Sequence, residues 1–335
     1  MQPHDAHKEI AARLCERQVD DIAPATGGGN NRIYKVTAGP SHYALKFYPP
    51  QEGDGRDRLG TEFVTLSFLS ENGIYNVPAP IARDQSNHFA LYSWIDGATI
   101  NNTSSEDVTA LADFLLTLQE LRNKPGAKGL ELASAACPAP GDAIDQLLDR
   151  LERLKQKAVP SPDLSEFLRQ TFEPAVEQAV DDAKVCLTAL SSTSSLALSP
   201  SDFGLHNALR REDGTLALLD FEYFGWDDPV KAVADVMLHP GVPMADKERA
   251  LFFDRVAPFF IQEDTEFEPR FAALYPIYGL IWCLIILNDF LPERWERRRI
   301  AGEKQPWENI RMQQLAKAGH LLNSLQDGGR FHVGT

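Results

Sequence analysis

Cysteine is scarce. The 335 residues hold four, Cys15, Cys137, Cys186 and Cys283, and none stands at C-x-x-C spacing from another. That excludes a zinc ribbon and a disulfide framework, and at this length a hydrophobic core needs neither staple. Positive charge is scarce too: 33 Lys and Arg face 48 Asp and Glu, a formal net charge of −15. A general nucleic-acid binder needs a basic face to neutralise phosphates, and an anionic membrane selects for the same feature. Neither nucleic acid nor membrane is therefore expected as a partner. Long apolar runs are missing as well. Ala272 to Leu287 is uncharged for 16 residues, short of the ~20 that span a bilayer, and Pro276 and Gly279 interrupt it. It reads as a helix buried inside the protein. The first residues, Met1 to Lys8, are polar and show no signal-peptide core, so the expected setting is a reduced cytoplasm.

What is present is ordinary for a globular protein. Hydrophobic residues make up 43% and charged residues 24%, which excludes wholesale disorder. The length favours about two domains. The first, residues 1–97, is β-rich. A turn cluster, Gly27-Gly28-Gly29-Asn30-Asn31, precedes a strand-like run from Arg32 to Thr37. Gly39-Pro40-Ser41 turns the chain, and His42 to Tyr48 returns as a second strand. Leu59, Phe63, Leu66 and Leu69 recur at helical spacing within Arg58–Glu71, and Gly73 stops that helix. His88 to Ile95 is a further strand, and Asp96-Gly97 closes the domain. From residue 98 to 335 the pattern is mainly helical, with helices over 142–158 and 163–189. It holds two short apolar runs, Leu196–Leu198 and Leu216–Leu219. Strands first and helices after, without βα alternation, define an α+β chain with a small β-rich lobe and a larger helical lobe.

The chemistry-bearing stretch runs from Leu198 to Tyr223. Asp202 is followed by the amide of Asn207, and Asp220 ends a short strand, followed by Phe221-Glu222. Hard oxygen ligands of this kind suit a magnesium ion bridging phosphates. A further carboxylate can hold a hydroxyl in line for attack.

Asp-x-x-x-x-Asn followed by a strand ending in Asp-Phe-Glu resembles the aminoglycoside phosphotransferase and choline kinase superfamily. These are small-molecule kinases with a protein-kinase-like fold. Trp226-Asp227-Asp228-Pro229, with Asp235 beyond, looks like the family's Gly-Asp-Pro…Asp segment. The Gly27–Val36 hairpin is similar to the family's nucleotide-covering loop, whose backbone N–H groups cradle phosphates. The resemblance spans residues 20 to 240 in order. It implies an ATP- and magnesium-dependent phosphotransferase acting on a hydroxyl of a small molecule: a sugar, an amino alcohol or an aminoglycoside-like compound. It implies Asp202 as the catalytic residue, and Asn207 and Asp220 as magnesium ligands. Nucleotide contacts fall on Gly28, Gly29, Asn31, Lys46, its partner Glu62, and the hinge residues Ser93 and Ile95. Glu222, Asp227 and Trp282 are the expected acceptor contacts.

The sequence departs from the family at Pro200 and Ser201, where the family has His-Gly before its aspartate. A catalytic loop supported in another way is expected; the alternative is a pseudokinase or nucleotide-binding scaffold without transfer. Asp220-Phe221-Glu222 stands where a protein kinase has Asp-Phe-Gly, and there is no Ala-Pro-Glu, so a protein acceptor is not expected. Other residues read as structural. His206 is a hydrogen-bonded loop histidine, Asp235 braces the loop, Tyr275 and Tyr278 are core, and Arg294 with Arg297–Arg299 forms a solvated helix face.

Overall fold

A computed structural model describes residues 3–25, 32–50, 55–190, 195–300 and 303–327. The chain groups into two compact units. Met1–Thr103, Thr117–Ser134 and Pro200–Gly225 form the first; Ser104–Leu116, Ala135–Ser199 and Trp226–Thr335 form the second.

In the first unit, helix α1 (Pro3–Cys15) precedes strands β1 (Asp21–Pro24), β2 (Arg32–Ala38) and β3 (Ser41–Phe47). Helix α2 (Arg58–Glu71) and strands β4 (Pro80–Asp84) and β5 (Phe89–Ser93) follow. The strands form one antiparallel sheet in the order β1-β2-β3-β5-β4. Strand alternation sends Leu45 to one face and Lys46 to the other. On the Leu45 face, Val36, Phe89 and Leu91 pack under Ala11 and Leu14 of α1. Arg13 of that helix pairs with Asp84. Sequence reading assigned no helix to these first residues, although Ile10, Ala11, Leu14 and Cys15 follow a helical stripe. Helix α2 covers the residues expected for it. Asp57 caps it, its Oδ1 accepting from Gly60 N–H at 2.9 Å, and Gly73 leaves it at φ +83. A second small sheet in this unit joins β6 (Ala98–Thr99), β8 (Ala208–Arg210) and β9 (Leu216–Leu218).

The second unit holds α3 (Ser105–Glu120, its last residues belonging to the first unit), α4 (Pro140–Lys157), α5 (Pro162–Phe167) and α6 (Glu173–Thr188). Strand β7 (Ala197–Ser199) pairs with β10 (Gly225–Asp227). Then come α7 (Pro229–Leu238), α8 (Asp246–Glu263), α9 (Phe267–Leu287), α10 (Pro292–Ile300) and α11 (Trp307–Asp327). The single helix expected over 163–189 is interrupted by a π turn, Leu168–Phe172. Pro174 lies just beyond it and has no N–H to give to a regular ladder. Helix α9 is the core of this unit: α4, α6, α7 and α11 pack against it. Among the described residues, Phe267–Phe290 is the one helix long and apolar enough to cross a membrane, and most of it is buried.

Candidate active site

Lys46 sits on β3 opposite Ala90 of β5. It is buried, and its ammonium is 2.6 Å from Glu62 Oε2 of α2 and 2.6 Å from Asp220 Oδ1. Glu222 Oε2 lies 3.5 Å away. One carboxylate oxygen from each of Glu62, Asp220 and Glu222 lies within 4.8 Å of the other two. Burial alone would lower the Lys46 pKa, but Asp220, Glu62 and Glu222 outweigh it and hold the group well above its ordinary value. The Asp220 carboxyl is pushed up, first by burial and then by Glu62 and Glu222, against the opposing pull of Lys46. Three carboxyl groups gathered at one place are the donor chemistry a divalent cation takes.

Glu62 is held from three sides. Its Oε2 accepts from Lys46 and, at 2.5 Å, from the Tyr48 hydroxyl; its Oε1 accepts from Phe221 N–H at 3.3 Å. The Tyr48 hydroxyl also lies 2.8 Å from that of Tyr92. Burial, and then the charge of Glu62, raises the pKa of both tyrosines well above the ordinary value. Both hydroxyls therefore stay protonated. Arg58, the first residue of α2, is buried and places Nη1 3.6 Å from Glu222 Oε1. Tyr48, Tyr92 and Arg58 escaped sequence reading. For Tyr48 a signal existed: it lies two residues beyond Lys46 and so shares its face.

Asp220 follows β9 in the left-handed region, at φ +66. This conformation costs a non-glycine residue about 1–2 kcal/mol, and Asp is among the residues that tolerate it. Its side chain is 32% exposed. Asn207 ties this loop to the one carrying Asp202. Its backbone carbonyl accepts from Leu219 N–H at 2.8 Å, and its side-chain NH2 donates to the Asp202 carbonyl at 3.0 Å. With the amide nitrogen so used, its Oδ1 has no hydrogen-bond partner among the described residues. His206 Nε2 lies 3.1 Å from Asp202 Oδ1, the position of a hydrogen-bonded loop histidine.

Other expected residues stand differently. Gly28, Gly29 and Asn31 lie outside the described residues. Ser93 is tied to the approach to β4, its N–H donating to Ala79 C=O at 2.8 Å and its Oγ accepting from Ala79 N–H at 2.9 Å. The backbone N–H and C=O of Ile95 make no hydrogen bond among the described residues. Ser93 and Ile95 border a cleft of about 360 Å³ with Val77, Tyr75 and Arg211; none of the Lys46 cluster lines it.

The three expected acceptor contacts need correction. Glu222 is 2% exposed and faces Lys46 and Arg58, so it belongs inside the charge cluster. Asp227 is 0% exposed. Its carboxylate accepts from Cys137 N–H and Asp228 N–H and pairs with Lys231; that is a structural tie. Trp282 is buried in α9, its indole N–H donating to Asp235 at 2.9 Å and its ring edge-on to His239. Asp228 caps α7 through Val230 N–H and binds Arg270. Arg298 grips Asp289 through two nitrogens, and Arg299 grips Glu296. That helix face is therefore laced with ion pairs.

A five-stranded antiparallel sheet with one helix supplying Glu62, joined in sequence to a mainly helical unit, defines a protein-kinase-like α+β fold. Residues 21–257 match the sequence model of the phosphotransferase enzyme family, and the chain belongs to that family. Solved structures agree on the fold. The choline kinase LicA from Streptococcus pneumoniae superposes with a TM-score of 0.59 at 16% identity, over 96% of this chain and 98% of that one. A spectinomycin phosphotransferase in complex with ADP and spectinomycin gives 0.62 at 14%, over 92% and 98%. A choline/ethanolamine kinase family protein from Mesorhizobium loti gives 0.61 at 15%, over 97% and 96%. No curated protein matches the sequence.

Proposed function

We propose that this protein transfers the γ-phosphoryl group of ATP to a hydroxyl of a small molecule, with magnesium as the required ion. The observation that carries the reading is the buried Lys46 held at 2.6 Å from both Glu62 and Asp220. Asp220 and the unpartnered Oδ1 of Asn207 would hold magnesium, which when bound supplies charge neutralisation for the transferring phosphoryl group. The excess of carboxylates at this cluster is consistent with that assignment.

Lys46 then has two tasks. Oriented by Glu62, it binds the α- and β-phosphate oxygens, and it remains protonated throughout because its pKa is raised. Asp202 accepts a hydrogen bond from the acceptor hydroxyl and aligns it. As the hydroxyl oxygen forms its bond to the γ-phosphorus, the bond from that phosphorus to the β–γ bridging oxygen breaks and ADP leaves. The hydroxyl proton passes to Asp202. Catalysis of this kind is mostly positioning and electrostatics. The acceptor class is drawn from the neighbours, which include choline kinases and a spectinomycin phosphotransferase; amino alcohols, sugars and aminoglycosides are the compounds to screen.

Thermal unfolding with ATP, with and without magnesium, tests the nucleotide site. Ligand at ~100 times its dissociation constant stabilises by about 2.7 kcal/mol. Wild type should show a magnesium-dependent shift that Asp220→Ala loses. Asp202→Ala should keep that shift while transfer to any accepted hydroxyl falls by about a thousandfold. Pro200 in place of the family histidine favours a second reading, a nucleotide-binding protein without transfer. A nucleotide-induced shift with no phosphoryl transfer across the acceptor screen would select it.

A further inference from the structure

The segment Glu131–Ser134 belongs to the first unit although it lies far in sequence from the residues around it. It is pressed directly on Gly225. A Cβ there would fall 2.4 Å from Ala133 N and from Glu131 O, and 2.5 Å from Leu132 C. Contacts that short with backbone cannot be relieved by a side-chain rotation, so the glycine is what lets the segment lie there. At its end Ser134 makes three bonds to three different loops. Its N–H donates to Tyr223 C=O at 3.0 Å, just beyond Asp220 and Glu222. Its Oγ accepts from Arg56 Nη1 at 2.6 Å, and the Arg56 guanidinium also stacks 5.0 Å from the Tyr223 ring centre. Its C=O accepts from Ser201 Oγ at 3.3 Å.

Ser201 is the residue before Asp202 and sits at φ +65. A glycine would take that conformation without strain. The serine tolerates it and contributes the hydroxyl that reaches Ser134.

We infer that Ser201 and Ser134 are positioning residues, and that Glu131–Ser134 is a strap tying the Asp202 loop to the Asp220 loop. Bonded through Ser201 on one side and Tyr223 on the other, Ser134 sets the orientation of the backbone from which Asp202 projects. The strap is internal to the first unit, and it gives the loop a brace at the place where Pro200 has no side-chain hydrogen bond to offer. Its effect on turnover rests on the phosphotransferase reading; its effect on loop order does not.

Ser201→Gly separates the brace from fold stability, because glycine relieves the positive φ while deleting the hydroxyl. The melting temperature should hold or rise. Amide hydrogen exchange over Asp202–Asn207 should speed up about tenfold, the loss expected for one hydrogen bond. With an accepted hydroxyl substrate, kcat should fall about tenfold while the KM for ATP stays within about twofold. Ser134→Ala keeps both main-chain bonds and loses the Arg56 bond, so it should speed exchange over residues 131–134 and 223–225. Unchanged exchange over Asp202–Asn207 in Ser201→Gly would overturn the strap whatever the protein's activity. Faster exchange with wild-type kcat would overturn the positioning role alone. A wild type that transfers no phosphate would count against the function proposed above, and the exchange result would still decide the strap.

Discussion

Replacing Tyr48 with phenylalanine should cost more than replacing Tyr92, although the two hydroxyls touch each other. Tyr48 is 3% exposed. Its hydroxyl donates to the Glu62 carboxylate at 2.5 Å and lies 2.8 Å from the Tyr92 hydroxyl. A buried hydrogen bond to a charged group is worth about 1.5–3 kcal/mol, whereas a neutral pair is worth about 1 kcal/mol. Tyr48→Phe deletes both bonds and leaves the Tyr92 hydroxyl without its partner. It keeps the ring, over which the Lys46 ammonium sits at 5.0 Å from the centre, so packing is not lost. The expected cost is about 2–3 kcal/mol. Tyr92→Phe leaves the bond to Glu62 intact and should cost about 1 kcal/mol. The double variant leaves no orphaned hydroxyl and should be no less stable than Tyr48→Phe alone. Urea unfolding of the four proteins measures these differences directly. If Tyr92→Phe proved as costly as Tyr48→Phe, the charge-assisted bond would not be the dominant one and the assignment of Tyr48 to holding Glu62 would fail.

Two further predictions concern other ionised groups. The Asp84 carboxyl is held down at about 2 by hydrogen bonds from Asn87 and then from Arg13, so this contribution is present above its unfolded value near 3.8 and is lost as pH falls through about 2. Asp84→Asn should flatten the loss of stability between about pH 4 and pH 2, seen in melts across that range; an unchanged acid limb would refute it. Lys231 is buried between Asp227 at 3.1 Å and Asp235 at 2.7 Å. Lys231→Met would strand two buried carboxylates and should destabilise by about 3–5 kcal/mol. Adding Asp235→Asn should recover part of that cost in the same unfolding assay, and no recovery would argue against the ion cluster.

Local patterns carried much of the architecture. The strand alternation around Lys46, the helical spacing of Leu59, Phe63, Leu66 and Leu69, and the Asp202–Asn207 interval were all readable because each is a short-range regularity. The α+β order of the elements followed from them. What escaped was set by contacts distant in sequence. Nothing local says that Ser134 meets Ser201 and Tyr223, or that Glu222 turns inward to Arg58. Acidic residues near a candidate site invite assignment to the acceptor, and only burial shows that Asp227 is spent on two backbone N–H groups. Helix α1 was missed for the opposite reason. Its stripe is present but short and set among polar residues, and its partner face on the sheet is invisible until the strands are paired.

The charge at the Lys46 cluster also separates a structural from a functional reading of Asp220. An aspartate that serves only as an ion-pair partner stabilises the ligand-free fold, and removing it costs about 3–5 kcal/mol by leaving a buried charge unpaired. Lys46 would not be left unpaired here, because Glu62 remains at 2.6 Å and Glu222 at 3.5 Å. Asp220 instead adds a third carboxylate to a crowded, largely buried set and adopts a positive φ to do so. Both features cost stability in the free protein, a pattern expected where a residue is kept for a ligand. Asp220→Asn, which preserves shape and removes the charge, should therefore leave the ligand-free protein within about 1 kcal/mol of wild type or above it, while abolishing the magnesium-dependent stabilisation by ATP. A loss of about 3 kcal/mol or more in the ligand-free protein, with the nucleotide effect intact, would make Asp220 a structural partner of Lys46 and refute its proposed role as a metal ligand.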